Sequence, residues 1–171
     1  MINEDVVEIP KITHHTKIPQ EFNLLGTYPS FHDPDDKDFF FKYKNSHLVV
    51  WSYLETKKRY ITSQDEFPLK ILPWVLIQLG RFDRPESQGG IPSDQISDVM
   101  ELDGETVGIA VGPCMGGPNI PGYDVWNRSR RIKPNSRVFQ NFVMPTPWLQ
   151  GGFLDFWESL THKVYPNGWT F

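Results

Sequence analysis

The sequence predicts an α+β protein, mainly antiparallel sheet, in which a strand meander followed by a helix occurs twice. Short runs rich in β-branched and aromatic residues, separated by turn residues, extend from residue 39 to residue 144 and are typical of hairpin-connected strands. Two apolar stretches, 72–82 and 147–160, have helical length. Each carries a Pro-Trp pair at its start, where a helix tolerates proline.

The third observation is that both halves place tryptophans in the same order. Trp51, in a predicted strand, precedes Trp126 by 75 residues. Trp74, at a predicted helix start, precedes Trp148 by 74 residues. A nearly constant period of this size indicates duplication of one structural unit. We therefore expect a single domain over residues 1–171 that is built from two pseudo-repeats.

The first pseudo-repeat is expected at about residues 39–82, after an irregular segment, 1–38, in which Asp5–Ile9 reads as an edge strand. Polar turns separate its strands, and its helix is apolar nearly all round, which is typical of a buried helix. The predicted strands are 39–43, 47–55 and 59–63, and the predicted helix is 72–82.

The second pseudo-repeat is expected at about residues 94–162, after a connector rich in Gly and Pro. Asp103-Gly104 between two apolar runs predicts a type I′ hairpin. Thr146 is expected to cap the last helix, with Pro147 in its first turn. The predicted strands are 96–102, 105–111, 123–132 and 137–144, with a loop at 112–122 and a helix at 147–160.

Composition indicates a globular protein of a reducing compartment. The 171 residues contain 39% hydrophobic and 22% charged side chains, which argues against a disordered chain. The lone cysteine, Cys114, excludes an intrachain disulfide and favours a cytoplasmic location. The chain opens with acidic residues rather than a signal peptide, and its longest apolar run is too short to span a bilayer. We expect no membrane partner.

Charge alternates in blocks along the chain, although the total is only −4. Residues 1–38 carry a net charge of −5 and residues 83–124 carry −7. Residues 39–82 carry +4 and residues 125–154 carry +5. Blocks of this kind predict separate acidic and basic faces, which also suit self-association into a homo-oligomer.

Both basic blocks place cations just beyond a tryptophan on a strand or turn. Because a strand alternates its side chains, Trp126, Arg128 and Arg130 are expected to share one face. Rings that stack on bases beside cations that hold phosphates are what single-stranded nucleic acid requires. The predicted stacking residues are Trp51, Tyr53 and Trp126, with Tyr60 beside them. The predicted phosphate contacts are Arg128, Arg130, Arg131, Lys133, Lys57, Lys58 and Arg59.

In element order and tryptophan spacing, residues 39–162 resemble the duplicated sheet-plus-helix proteins of the Whirly and PUR-repeat families. That resemblance implies sheets that bind single-stranded DNA or RNA. The Lys-Gly-Lys-Ala-Ala stretch of the Whirly proteins has no counterpart here, so no site residue is transferred from either family.

Two other classes of function stay open. An interaction or inhibitor protein would bind a basic protein partner through the acidic segments and exposed aromatic residues. An enzyme or small-ligand binder would need a site assembled from scattered residues.

The motifs that could indicate catalysis or metal binding are incomplete. Cys114 lies in a Gly-x-Cys-x-Gly run that no helix is expected to follow, so it is not predicted to be a nucleophile. The histidines and the acidic run after His32 lack metal-ligand spacing. We therefore predict no catalytic residue, no metal and no cofactor.

Overall fold

The computed structural model of the protein describes residues 6–171 as two four-stranded antiparallel sheets, each followed by helix. Sheet A has the order β1-β2-β3-β4 and sheet B the order β5-β6-β7-β8. The strands are β1 Phe22–Pro29, β2 Lys37–Tyr43, β3 His47–Glu55, β4 Tyr60–Pro68, β5 Ser97–Leu102, β6 Glu105–Gly112, β7 Gly122–Arg131 and β8 Phe139–Pro145. Helix α1 (Ile71–Asp83) follows sheet A, and helix α2 (Thr146–Trp148), a π-helical segment (Leu149–Phe153) and helix α3 (Leu154–Val164) follow sheet B.

The predicted α+β class and the repeated sheet unit are confirmed, and the strand register makes the repeat explicit. The third and fourth strands of sheet A begin their ladder with the pair His47–Pro68, and those of sheet B with Gly122–Pro145. Trp51 lies four residues beyond His47, and Trp126 lies four residues beyond Gly122. The two tryptophans therefore occupy corresponding positions in the two sheets.

Several elements differ from the sequence-based predictions. Strand β1 lies inside the segment predicted to be irregular, and it pairs with β2 through a β-bulge between Leu24 and Gly26. Of the predicted edge strand at 5–9, Asp5 lies outside the described residues and Val6–Ile9 form no strand. Thr146 is the first helical residue rather than its cap, and Pro145 precedes it. Gly151-Gly152 lies in the π-helical segment that interrupts the last helix.

The type I′ hairpin between β5 and β6 is confirmed, because both of its central residues adopt positive φ. Asp103 has φ 48° and Gly104 has φ 84°. An aspartate tolerates this left-handed conformation and a glycine adopts it without a steric penalty.

Helices α1 and α3 each pack on the sheet of the other half, so the two halves share one core. Helix α1 lies against β6, and Arg81 on α1 forms a salt bridge of 2.7 Å with Asp98 on β5. Helix α3 lies against β1, and the ring of Phe156 contacts the ring of Phe40 on β2. Trp157 of α3 donates from Nε1 to the carbonyl of Leu72 in α1 at 2.9 Å, which joins the two helices. Because each sheet packs against this core with one face only, its other face, here called its outer face, is turned away from the core.

The outer face of sheet A is covered by the N-terminal segment, residues 6–21, which runs across it without strand structure. Ile9 and Ile12 of this segment are buried against Phe41, Val49 and Trp51. The side chain of Gln64 on β4 exchanges two hydrogen bonds with the segment, accepting from the amide of Ile12 and donating to the carbonyl of Pro10. No described segment covers sheet B in this way, and this difference between the repeats determines which side chains are accessible.

Among the helices of residues 6–171, none combines the length and apolar character needed to cross a membrane.

Candidate functional site

Trp126 lies on the outer face of sheet B, flat against its neighbouring strand. Its chain neighbours Val125 and Asn127 are both fully buried on the core side, so strand alternation turns the indole outward. Gly108 on β6 is its cross-strand partner. A Cβ at Gly108 would come within 1.9 Å of the indole ring. The glycine is therefore what allows the ring to rest on the sheet.

The guanidinium of Arg128 lies over the same ring. Its Cζ is 4.3 Å from the ring centroid, a cation–π distance, and the side chain is exposed. Two residues apart on one strand, Trp126 and Arg128 share a face, as predicted. The planar guanidinium is a surface on which another flat group can stack.

A second cation–aromatic pair lies where β7 and β8 meet their connecting loop. The Cζ of Arg131 is 4.2 Å from the ring centroid of Phe139, its cross-strand partner. Arg131 also donates from Nη1 to the carbonyl of Arg137 at 2.7 Å, which orients its side chain. Lys133 and Arg137 are exposed in the same loop. Together Trp126, Arg128, Arg131, Lys133, Arg137 and Phe139 form what we call the Trp126 platform.

Arg130 does not belong to this platform, so the prediction that it shares a face with Trp126 is wrong. The ladder between β7 and β8 jumps from Asn127–Gln140 to Arg131–Phe139, which leaves residues 128–130 unopposed. Such a bulge shifts the alternation of the strand. Arg130 consequently points inward, with 6% of its surface exposed.

Inside the protein, Arg130 joins a buried polar network that connects the two sheets. It contacts Glu66 of β4 at 2.7 Å and Glu105 of β6 at 2.7 and 2.8 Å. His47 of β3 contacts Glu105 at 2.7 Å, and Lys11 of the N-terminal segment pairs with Glu66 at 2.6 Å. Arg130 is neutralised by this network and cannot contact a phosphate.

The carboxyl group of Glu105 is the centre of the network. Burial alone would raise its pKa, but hydrogen bonds from His47, Arg130 and Asn127 and the charge of Arg130 outweigh burial and lower the pKa to about 2. Glu105 is therefore ionised wherever the protein is folded near neutral pH. The network supports the structure and presents no open position for a substrate.

Trp51 is also inaccessible, so the prediction that it stacks on bases is wrong. It has no exposed surface, and its Nε1 donates to the carbonyl of Ile12 at 2.9 Å. Sequence alternation placed it correctly on the outer face of sheet A. What the pattern did not reveal is that the N-terminal segment covers that face.

The remaining predicted residues of sheet A lie at the rim of this covered face. Tyr53 is half-buried in a stack of rings, 4.6 Å from His15 and 5.4 Å from Tyr60. Lys57, Lys58 and Arg59 are all exposed in the connection between β3 and β4. That connection corresponds to the β7–β8 loop of sheet B, so both basic groups lie at the same place in their repeats. Of the two sheets, only sheet B brings cations together with a tryptophan that is partly exposed, since Trp126 is half-buried and Trp51 is fully buried.

The described side chains form neither a metal site nor a nucleophile elbow. No three His, Cys, Asp or Glu residues in the described part of the chain are arranged to hold a metal ion. Cys114 is exposed in the loop between β6 and β7, and a strand follows that loop rather than the helix that a nucleophile elbow requires. Of the predicted binding residues, the Trp126 platform contains Trp126, Arg128, Arg131 and Lys133, and it adds Arg137 and Phe139, which were not predicted.

Comparisons with models of protein families, with curated protein sequences and with solved structures found no match to this chain.

Proposed function

We propose that this protein is a small cytoplasmic binding module for single-stranded nucleic acid, which contacts its ligand through the Trp126 platform. One observation carries the proposal. The guanidinium of Arg128 is held 4.3 Å over the Trp126 ring on the outer face of a sheet that no described segment covers. The exposed thiol of Cys114 suits a reducing compartment.

The stacked pair offers a base two ways to bind. An unpaired base stacks on the outward side of the Arg128 guanidinium, or it displaces the guanidinium and stacks on the indole. Stacking of one base contributes about 1–3 kcal/mol and tolerates any sequence. The platform has room for few bases, so we expect a short, sequence-tolerant footprint.

The cations around the ring bind the phosphates on either side. Arg128, Arg131, Lys133 and Arg137 lie in residues 128–137, a stretch that contains no acidic residue. Asp124 lies two residues before Trp126 on the same strand and accepts from Asn141, the cross-strand partner of Trp126, so the positive field is confined to the side of the ring toward residues 128–137. If all four cations contact phosphates, the logarithm of the binding constant should fall with that of salt concentration with a slope of about −3.

Fluorescence anisotropy with a labelled twelve-nucleotide oligothymidine, at low and at physiological salt, tests the proposal. The triple variant Arg128→Ala, Arg131→Ala, Lys133→Ala should bind at least ten times more weakly than the wild type. The matched control is Lys57→Ala, Lys58→Ala, Arg59→Ala, which removes the same charge from the corresponding connection of sheet A and should change affinity less than threefold. Equal losses in the two variants, or no binding at low salt, would refute the Trp126 platform as the site.

A further inference from the structure

A cleft of about 200 Å³ opens where the core-facing side of sheet A extends beyond β8. The inner faces of β3 and β4 carry apolar residues near the core and polar residues farther out, where Ser52 pairs with Ser63. Asp65 pairs across the strands with Val50. Asp38 lies on β2 on the same side as the buried Phe40. The cleft therefore has a floor of two carboxyl groups and two hydroxyl groups.

Aromatic rings form the opposite wall of the cleft. Phe142 of β8 and Trp148 of α2 line it. The indole of Trp148 is fixed because its Nε1 donates to the carbonyl of Pro29 at 3.1 Å. Asn141, also on the wall, is held by a 2.8 Å hydrogen bond from its amide to Asp124. Hydrogen bonds therefore fix the orientation of the Trp148 and Asn141 side chains.

The two carboxyl groups on the floor form no salt bridge within residues 6–171, although His32 also lines the cleft and the charge of Lys11 acts on Asp65. Neither Asp38 nor Asp65 forms a salt bridge with any residue of the described chain, whereas the buried Glu66 and Glu105 both do. Burial raises the pKa of Asp65 to about 7, with Glu66 and Asp38 adding to the rise, against a backbone hydrogen bond from Asn141 and the charge of Lys11. Burial, with the charge of Asp36, raises the pKa of Asp38 to about 6. Uncompensated carboxyl groups in a concave site favour a ligand that carries the missing positive charge.

From this geometry we infer that the cleft binds an organic cation, an alkylammonium or guanidinium group. An aromatic ring attracts a cation that lies over its face, and the hydroxyl groups of Ser52 and Ser63 accept N–H donors. An anion is excluded by the carboxyl groups. A divalent metal is disfavoured because the described residues offer no set of three ligands. The volume suits one lysine or arginine side chain, or a small free amine.

The inference is independent of the proposed nucleic-acid site, because it uses none of the residues of the Trp126 platform. It concerns a different ligand of opposite charge. Variants in the cleft should therefore leave oligothymidine binding unchanged.

Titration with butylammonium and with ethylguanidinium, followed by the NMR signal of the Trp148 indole N–H at pH 8, tests the inference. We expect a saturable shift in the millimolar range that sodium chloride at the same ionic strength does not produce. Asp65→Asn and Asp38→Asn should each weaken binding at least tenfold. Asp35→Asn is the matched control, since it removes an exposed carboxyl from the loop before β2 and should have no effect.

A short arginine-containing peptide distinguishes the two sources of the cation. Binding at least ten times tighter than ethylguanidinium assigns the cleft to a side chain of a protein partner, and equal binding assigns it to a free small molecule. A shift that sodium chloride reproduces, or equal losses in Asp65→Asn and Asp35→Asn, would overturn the inference.

Discussion

Arg130 holds the carboxylate of Glu105 by two parallel hydrogen bonds, with Nε 2.8 Å from Oε2 and Nη2 2.7 Å from Oε1. The same guanidinium reaches Glu66 on the other sheet and the carbonyl of Val7 in the N-terminal segment. One side chain thereby joins sheet A, sheet B and the segment that covers sheet A.

Replacing Arg130 by Met should lower the free energy of unfolding by about 3–5 kcal/mol, because it leaves Glu66 and Glu105 buried without their main counter-charge. Urea unfolding followed by circular dichroism measures this loss. Arg128→Met removes an exposed arginine from the same strand and should cost less than about 0.5 kcal/mol. Similar losses in both variants would contradict the buried role of Arg130.

Trp51→Phe should loosen the N-terminal segment while leaving the fold intact. The substitution removes the hydrogen bond from the indole to the Ile12 carbonyl, a loss of about 1 kcal/mol. Hydrogen exchange of the Ile12 amide, which donates to Gln64, should become about five times faster. Trp126→Phe affects the corresponding position of the uncovered sheet, and it should leave exchange at Ile12 unchanged. An unaltered rate in Trp51→Phe would show that the segment is held by other contacts alone.

Gly108→Ala should displace the Trp126 ring, since the added Cβ would lie 1.9 Å from it. We expect a loss of about 1–3 kcal/mol in stability, from overpacking, together with weaker oligothymidine binding. Gly151→Ala is the control, because a Cβ there meets no atom within 4 Å and the backbone is not left-handed. Native binding by Gly108→Ala would show that the ring position is unimportant for the ligand.

Protonation of the Glu105 carboxylate should contribute to unfolding in acid. Its folded pKa of about 2 lies below the ordinary value of 4.5, so its stabilising contribution is complete above pH 4.5 and is lost as pH falls toward 2. Glu105→Gln should flatten the stability profile in that window and lower stability at pH 7. The exposed Glu101→Gln, on the neighbouring strand, should keep the wild-type slope. If stability in Glu105→Gln depended on pH as steeply as in the wild type, the lowered pKa of Glu105 would be contradicted.

Asp65 should change the pH dependence of stability in the direction opposite to that of Glu105. Its folded pKa of about 7 lies above the ordinary value of 3.8, so the stability it confers is present below pH 3.8 and is lost as pH rises through 7. Asp65→Asn should therefore raise the free energy of unfolding at pH 8, by on the order of 2–4 kcal/mol, and change it little at pH 4. Asp35→Asn should change neither value. A loss of stability at pH 8 would contradict the raised pKa of Asp65.

Much of the fold follows from local patterns. The Asp103-Gly104 turn needs only two residues that accept positive φ, and the strands around it follow from alternation. Strand β1, Phe22–Pro29, was not predicted because apolar and polar residues do not alternate regularly along it. Its bulge between Leu24 and Gly26 interrupts the two-residue period of a strand. Its pairing with β2 determines its conformation, and no local signal in the sequence reveals that pairing.

Part of the candidate site, too, could be predicted from local patterns, and part could not. The pattern placed Trp126 and Arg128 on one face, and the structure confirms it. The same pattern failed at Arg130, where a bulge shifts the alternation of the strand, and at Trp51, where a distant segment covers a correctly assigned face. The cleft at Asp38 and Asp65 was missed because its residues come from separate strands and show no spacing signal.

The amino-acid order alone determined the class of fold, the duplicated unit, the hairpin turn and the concentration of cations near two tryptophans. Apart from the duplication, which the 74–75-residue spacing of the tryptophans indicates, these properties depend on neighbours within a few residues, which a sequence displays directly. Only the tertiary structure decided which tryptophan is accessible, which arginine is neutralised and which buried carboxyl groups form no salt bridge. Those outcomes depend on burial and charge contacts between segments more than fifty residues apart, such as Ile12 on Gln64 and Arg130 on Glu66, and local periodicity carries no information about them.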